Sequence, residues 1–135
     1  MTDGQLNTFL TQPLIAVIST VDDAGRARSA PMWFHWEDGA AYMFTGRTSL
    51  KWRNIKRHPH ASLCIDWREL PYAAVIMDGL VEEVDRSLYD LVLAMALCYY
   101  GENRGRSFAE EYRDNKEDVV IFRLTPRHIT SFLEG

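Results

Sequence analysis

The chain has 135 residues, 47% hydrophobic and 25% charged, with a net charge of −4 and a pI near 5.5. Those values fit one globular domain spanning 1–135 and exclude a disordered or collagen-like chain. An acidic balance also argues against a nucleic-acid partner, and no apolar run approaches the ~20 residues of a membrane-spanning helix.

Leu6 to Thr11 reads as a short helix with Leu6, Phe9 and Leu10 on one face. Leu14 to Val21 is short, apolar and β-branched, the pattern of a strand buried on both faces. Asp22 to Gly25 is a turn. Arg28 to Trp36 alternates as a second strand, and Pro31 places it at an edge or a bulge because proline cannot donate to a ladder. Glu37-Asp38-Gly39 is a hairpin turn, and Ala41 to Thr45 returns antiparallel. Ala61 to Trp67 is a fourth strand and Tyr72 to Val84 a long fifth, with Asp78-Gly79 marking a bulge of the kind that curls sheets. Asp85 is the expected cap of a helix carrying Leu88, Leu91, Val92, Met95 and Tyr99 at helical spacing. Gly101 ends it. That stripe reads as packing. Gly101 to Gly105 reads as a polar loop, and Ser107 with Glu110 as the capping box of a second helix to about Arg113. Val119 to Leu124 is the sixth strand, extended past Pro126 by Arg127 to Leu133. Six strands, mostly sequential antiparallel pairs, make a small mainly β barrel with flanking helices. Cys64 and Cys98 lack CxxC spacing and read as buried reduced thiols. The opening Thr2-Asp3-Gly4-Gln5 is neither basic nor apolar, so a cytoplasmic location is the expectation.

The stretch from Tyr42 to Arg57 is the anomaly. It runs from a strand through Gly46 into a helix capped by Thr48 or Ser49 and stopped near His58 by Pro59. From Gly46 to His58 there are five cations, Arg47, Lys51, Arg53, Lys56 and Arg57, and no acid. Arg47 and Lys51 lie at the positive end of the helix dipole, where a cation is disfavoured. Free N–H groups, a hydroxyl and a lysine at a helix N-terminus suit a phosphate. Ser49 and Lys51 are the expected contacts, with Thr45, Gly46 and Arg47 around them. The edge Pro31-Met32-Trp33-Phe34 is expected beside the strand that feeds this turn, offering backbone groups and apolar side chains to a flat heterocycle. His58 and His60, with His35 and His128 apart, lack the further ligands of a metal site. No GxGxxG, Walker A, Ser/His/Asp or paired-carboxylate arrangement is present, and no catalytic residue is assigned.

Residues 15–26, 29–34 and 42–54, with His58-Pro59 and Asp78-Gly79, resemble the pyridoxamine 5'-phosphate oxidase-like family of FMN-binding split barrels. That family includes flavin and deazaflavin oxidoreductases. Thr-Gly-Arg-x-Ser-x-Lys is the most specific part. The resemblance implies a six-stranded split β-barrel and a homodimer with cofactor sites at its interface. It also implies phosphate contacts from Thr45, Ser49 and Lys51, an isoalloxazine lined by Pro31 to Phe34, and closure by the second subunit through Trp67 and its neighbours. The chain departs from the vitamin-B6 oxidases. Trp33 stands where they carry a lysine, Ala73 or Ala74 replaces a glutamine, and their C-terminal Arg/His motif is missing. The expectation is therefore an oxidoreductase using FMN, or alternatively the deazaflavin coenzyme, on a small-molecule substrate. In the second case Arg53, Lys56 and Arg57 would meet the coenzyme's acidic tail. A flavin- or haem-binding protein without turnover is the other class.

Overall fold

The computed structural model describes residues 1–113 and 117–135. Its elements run α1 (Asp3–Leu10), β1 (Ala16–Val21), β2 (Ala27–Met32), β3 (His35–Glu37), β4 (Ala40–Gly46), α2 (Leu50–Arg57), β5 (His60–Trp67), β6 (Ala73–Glu83), α3 (Leu88–Tyr100), α4 (Glu102–Glu110) and β7 (Val119–Leu133). The strands form one antiparallel sheet in the order β2-β1-β5-β6-β7-β4-β3. The fold is mainly β, a curled sheet of split-barrel type with flanking helices.

The six expected strands appear as seven because the second divides. Ala27–Met32 pairs with β1, Pro31 facing Val17, and forms one edge of the sheet. His35–Glu37 pairs with β4, His35 facing Tyr42, and forms the other edge. Only Trp33 and Phe34 lie between them. Laid flat, six strand spacings would hold the edges ~29 Å apart. Three consecutive Cα–Cα steps reach at most ~11 Å. The sheet must therefore curl until its edges meet at Trp33-Phe34. The middle of the Pro31–Phe34 segment accordingly does not pair with β4, contrary to the hairpin reading.

The barrel interior is filled by alternate residues of every long strand. Ile18, Met43, Leu63, Ile65, Val75, Met77, Phe122 and Leu124 are essentially inaccessible, with Leu10 of α1 and Trp52 and Ile55 of α2 packed among them. β1 is buried on one face only: Ala16, Ile18 and Thr20 point inward, while Ile15 and Val21 are exposed. Its outer residues gain no covering layer within the chain, which is why an unbroken apolar run misreads as two-sided burial. A smaller core lies outside the barrel, where Leu91 and Met95 of α3 pack on Ile121 with Trp33, Tyr42 and Phe44 around them. The apolar stripe on α3 is thus packing, as its spacing predicts.

Asp78-Gly79 is a bulge, as expected. Asp78 faces His128 and Gly79 faces Pro126, so Arg127 is the extra residue. A Cβ on Gly79 would stand 2.2 Å from the Thr125 carbonyl oxygen, which only glycine permits. Three local expectations are corrected. Ser87, not Asp85, caps α3, accepting from the Asp90 N–H. Residues 102–105 are helical, and Ser107 lies inside α4, because Gly101 at φ +83° ends one helix and starts the next without a linker. Cys64 and Cys98 are free but exposed: Cys64 points outward from β5, and the Cys98 thiol donates to the Thr11 carbonyl at 3.7 Å.

Candidate functional site

β4 ends at Gly46 and α2 begins at Leu50, and the turn between them is built around Ser49. Ser49 caps α2, its Oγ accepting the Trp52 N–H at 3.2 Å. The same oxygen accepts the Thr45 hydroxyl at 3.1 Å. Having accepted twice, Ser49 keeps its own O–H proton free to donate. Lys51 Nζ approaches Thr45 Oγ1 at 3.4 Å. Among the described residues Lys51 stands in no ion pair, and the N–H groups of Leu50 and Lys51 find no acceptor. A Cβ on Gly46 would meet nothing within 4 Å. Two free amides, a hydroxyl, an ammonium and an open approach therefore converge on one helix N-terminus. This is the donor set of a phosphate, so the residues present fit the group that the turn implies.

A cavity of about 150 Å³ opens beside this turn, lined by Ile18, Thr20, Arg28, Ser29, Ala30, Ser49, Leu50 and Lys51. The edge strand β2 thus does reach the turn, through Ser29 and Ala30 rather than through pairing with β4. Arg28 adds a second cation. It is oriented by Asp22, whose Oδ2 accepts from Arg28 Nε at 2.9 Å while Oδ1 accepts the Ala24 and Arg26 N–H groups. Those backbone donors, Arg26 foremost, and the Arg28 guanidinium hold the Asp22 carboxyl below its ordinary range. The sequence reading missed Arg28. Its signal is the Asp22–Arg28 charge pair flanking a turn at the start of an edge strand.

The other expected residues divide. Arg47 turns away from the cavity and pairs with Glu83 at 3.0 Å, an ion pair that raises its guanidinium further above its ordinary value. Arg57 donates to the Val21 carbonyl at 3.0 Å and to Asn54 Oδ1 at 3.2 Å, while buried Asn54 donates to Thr20 Oγ1 at 3.1 Å. Arg57 therefore anchors the end of α2 to β1. Arg53 and Lys56 remain exposed and, among the described residues, outside any ion pair. Pro31 is exposed on β2. Phe34 is 4% exposed in the main core, and its N–H donates to the Tyr99 hydroxyl at 3.5 Å. Met32 is half-buried. Trp33 lies parallel to Tyr99, centroids 4.6 Å apart and planes 2° apart. Trp67 sits at the far end of β5 opposite Ala73, away from the turn within one chain. Among the described residues no cluster of His, Cys, Asp and Glu could hold a metal ion, and no helix is long and apolar enough to cross a membrane.

A sheet curled until its edges meet, with flanking helices, defines a split-barrel protein. The chain belongs to the pyridoxamine 5'-phosphate oxidase family, whose sequence profile matches residues 2–132. A pyridoxine/pyridoxamine 5'-phosphate oxidase of Acidothermus cellulolyticus is 32% identical over 77 residues, covering 57% of this chain and 34% of that protein. The match thus spans only about a third of that relative's length. A conserved hypothetical protein of Mycobacterium tuberculosis superposes with a TM-score of 0.84 at 18% identity, covering 99% of this chain and 86% of the other. An F420 reductase superposes with a TM-score of 0.76 at 26% identity, covering 92% and 94%.

Proposed function

We propose that this chain is a flavin-type oxidoreductase that holds FMN by its phosphate at Thr45, Ser49 and Lys51. The observation that carries the reading is Lys51, in no ion pair among the described residues, beside two amides that find no acceptor among them at the start of α2. A lysine held there without an acid is destabilising unless an anion joins it. Arg28 would add charge at the same cavity. When bound, the cofactor supplies hydride chemistry; the chain supplies binding, orientation and exclusion of water. The segment Pro31 to Phe34 would flank the ring, with Met32 and Trp33 as apolar walls.

The reading includes a homodimer that closes the site. It is supported by the outer face of the sheet, where Ile15, Val21, Ile76 and Phe132 are exposed large hydrophobics. In the sheet register Pro31, Val17, Cys64, Ile76 and Thr130 form one row across that face. Trp67, remote from the turn of its own chain, would reach the site of the second copy.

The deazaflavin coenzyme F420 is the second reading. The likeness to an F420 reductase favours it, as do the exposed cations Arg53 and Lys56, which suit an acidic tail. Arg57 no longer supports it, being engaged with Val21 and Asn54.

Calorimetric titration with FMN and with riboflavin, which lacks the phosphate, tests the phosphate assignment. Loss of two charge-assisted hydrogen bonds should weaken riboflavin binding by roughly a hundredfold or more. Equal affinity for the two flavins would refute it.

A further inference from the structure

A second cavity lies between the end of β2 and the outer side of β4. Met32, Trp33, Phe44 and Phe108 line an open cleft of about 210 Å³. None of these side chains carries a charge. The walls are also fixed from behind. Trp33 is stacked on Tyr99, meets Tyr100 edge-on at 5.1 Å and lies tilted against Phe108 at 5.4 Å. Tyr99 is pinned in turn: its hydroxyl donates to the Leu14 carbonyl and receives the Phe34 N–H at 3.5 Å. Burial pushes the Tyr99 phenol up to about 12, so this contact keeps its proton across ordinary pH. Phe108 is set by close helix packing, for a Cβ on Gly105 would stand 2.7 Å from the Ala96 carbonyl oxygen. Phe44 is held by Tyr112, centroids 5.7 Å apart. Such walls lose little freedom when a ligand enters.

We propose that this cavity takes the flat, uncharged part of the substrate, a one- or two-ring aromatic or quinonoid system without a phosphate. Size, shape and charge each argue for it. An apolar cavity of ~150 Å³ holds benzene, so 210 Å³ suits a ring system between one and two fused rings. Indole and phenyl walls favour a planar partner stacked or edge-on. An anionic ligand would be desolvated there without a counter-charge. A phosphorylated pyridine therefore does not suit these walls. That the ring is a substrate rests on the flavin reading; that the cavity binds the ring does not.

The test uses the full chain without cofactor. 2-Naphthol and 2-naphthoate share a ring system and differ in charge at neutral pH. In equilibrium dialysis naphthol should bind, and naphthoate should bind roughly tenfold more weakly or worse, as an unpaired anion must. Nuclear Overhauser contacts should join naphthol to the Trp33 indole, its signal identified by its loss in Trp33→Phe. Phe108→Trp fills the cavity and should abolish naphthol binding while FMN titration is unchanged. Equal binding of the two naphthyl probes, or naphthol contacts only to residues elsewhere, overturns the proposal whatever FMN does. Intact naphthol binding with no flavin binding overturns the flavin reading and leaves this one standing.

Discussion

Replacing Lys51 with alanine should move cofactor affinity and apo stability in different directions. Lys51 is the second residue of α2, half-buried, with Nζ 3.4 Å from Thr45 Oγ1 and, among the described residues, no ion pair. A cation at that helix end is unfavourable by about 0.3–1 kcal/mol. Alanine also has the better helix propensity, by a few tenths of a kcal/mol. Against this, the variant loses one hydrogen bond at the long limit and some packing of the lysine stem. The terms nearly cancel, so stability without cofactor should be unchanged or slightly raised. At this chain length that keeps the melting temperature within about 2 °C of the parent. A charge-assisted hydrogen bond to phosphate contributes about 1.5–3 kcal/mol. FMN affinity should thus fall by about ten- to a hundredfold. Thermal melts followed by circular dichroism, without cofactor, and calorimetric titration with FMN read the two quantities separately. A fall in melting temperature of more than about 5 °C together with unchanged FMN affinity would refute the reasoning, because Lys51 would then be a structural residue.

Gly46→Ala adds a methyl group that meets nothing within 4 Å in the protein. Stability should stay within about 0.5 kcal/mol of the parent, while FMN affinity falls because the methyl occupies the approach to the turn. Unchanged affinity by the same titration would move the phosphate elsewhere. Gly79→Ala should lower stability by about 1–3 kcal/mol, since its Cβ would lie 2.2 Å from the Thr125 carbonyl oxygen and the bulge would have to shift. Denaturant unfolding checks this. Asp22→Asn should destabilise the protein at pH 7 but not in acid. The Asp22 carboxyl has a folded pKa below its ordinary value of 3.8. Its stabilisation is therefore fully present above that value and is lost as the pH falls through the folded pKa. Denaturant midpoints of parent and variant should differ at pH 7 and converge as the pH falls below the ordinary carboxyl range and through the lowered folded pKa. A gap independent of pH would contradict the ionised role.

The turn between β4 and α2 was legible because its signals are local. Ser49 at the cap, Gly46 before it and the run of cations lie within one turn of helix, and the structure keeps Ser49, Thr45 and Lys51 together. The bulge at Asp78-Gly79 was legible for the same reason. What escaped the sequence depends on closure. The Arg28–Trp36 run alternates without a break, and nothing in it marks the point where the chain passes from one sheet edge to the other. That break at Trp33-Phe34 also decides which neighbours the segment meets. It puts Phe34 in the core, Trp33 against Tyr99, and Ser29 and Ala30 beside the lysine. The roles of Arg47 and Arg57 escaped likewise. Their partners, Glu83 and the Val21 carbonyl, are each 36 residues away. The α3–α4 boundary failed for a local reason: Ser107-x-x-Glu110 matches a capping box, yet Gly101 had already started the helix.

The most direct measurement is a visible absorption spectrum of the purified full chain, followed by titration with FMN and separately with F420. The account predicts saturable binding of at least one of them, with FMN first, weakened in Lys51→Ala. Saturation by F420 alone would assign the same turn to the deazaflavin coenzyme. Failure of the chain to take either would contradict the account, and the split barrel would then carry the fold of its family without its cofactor.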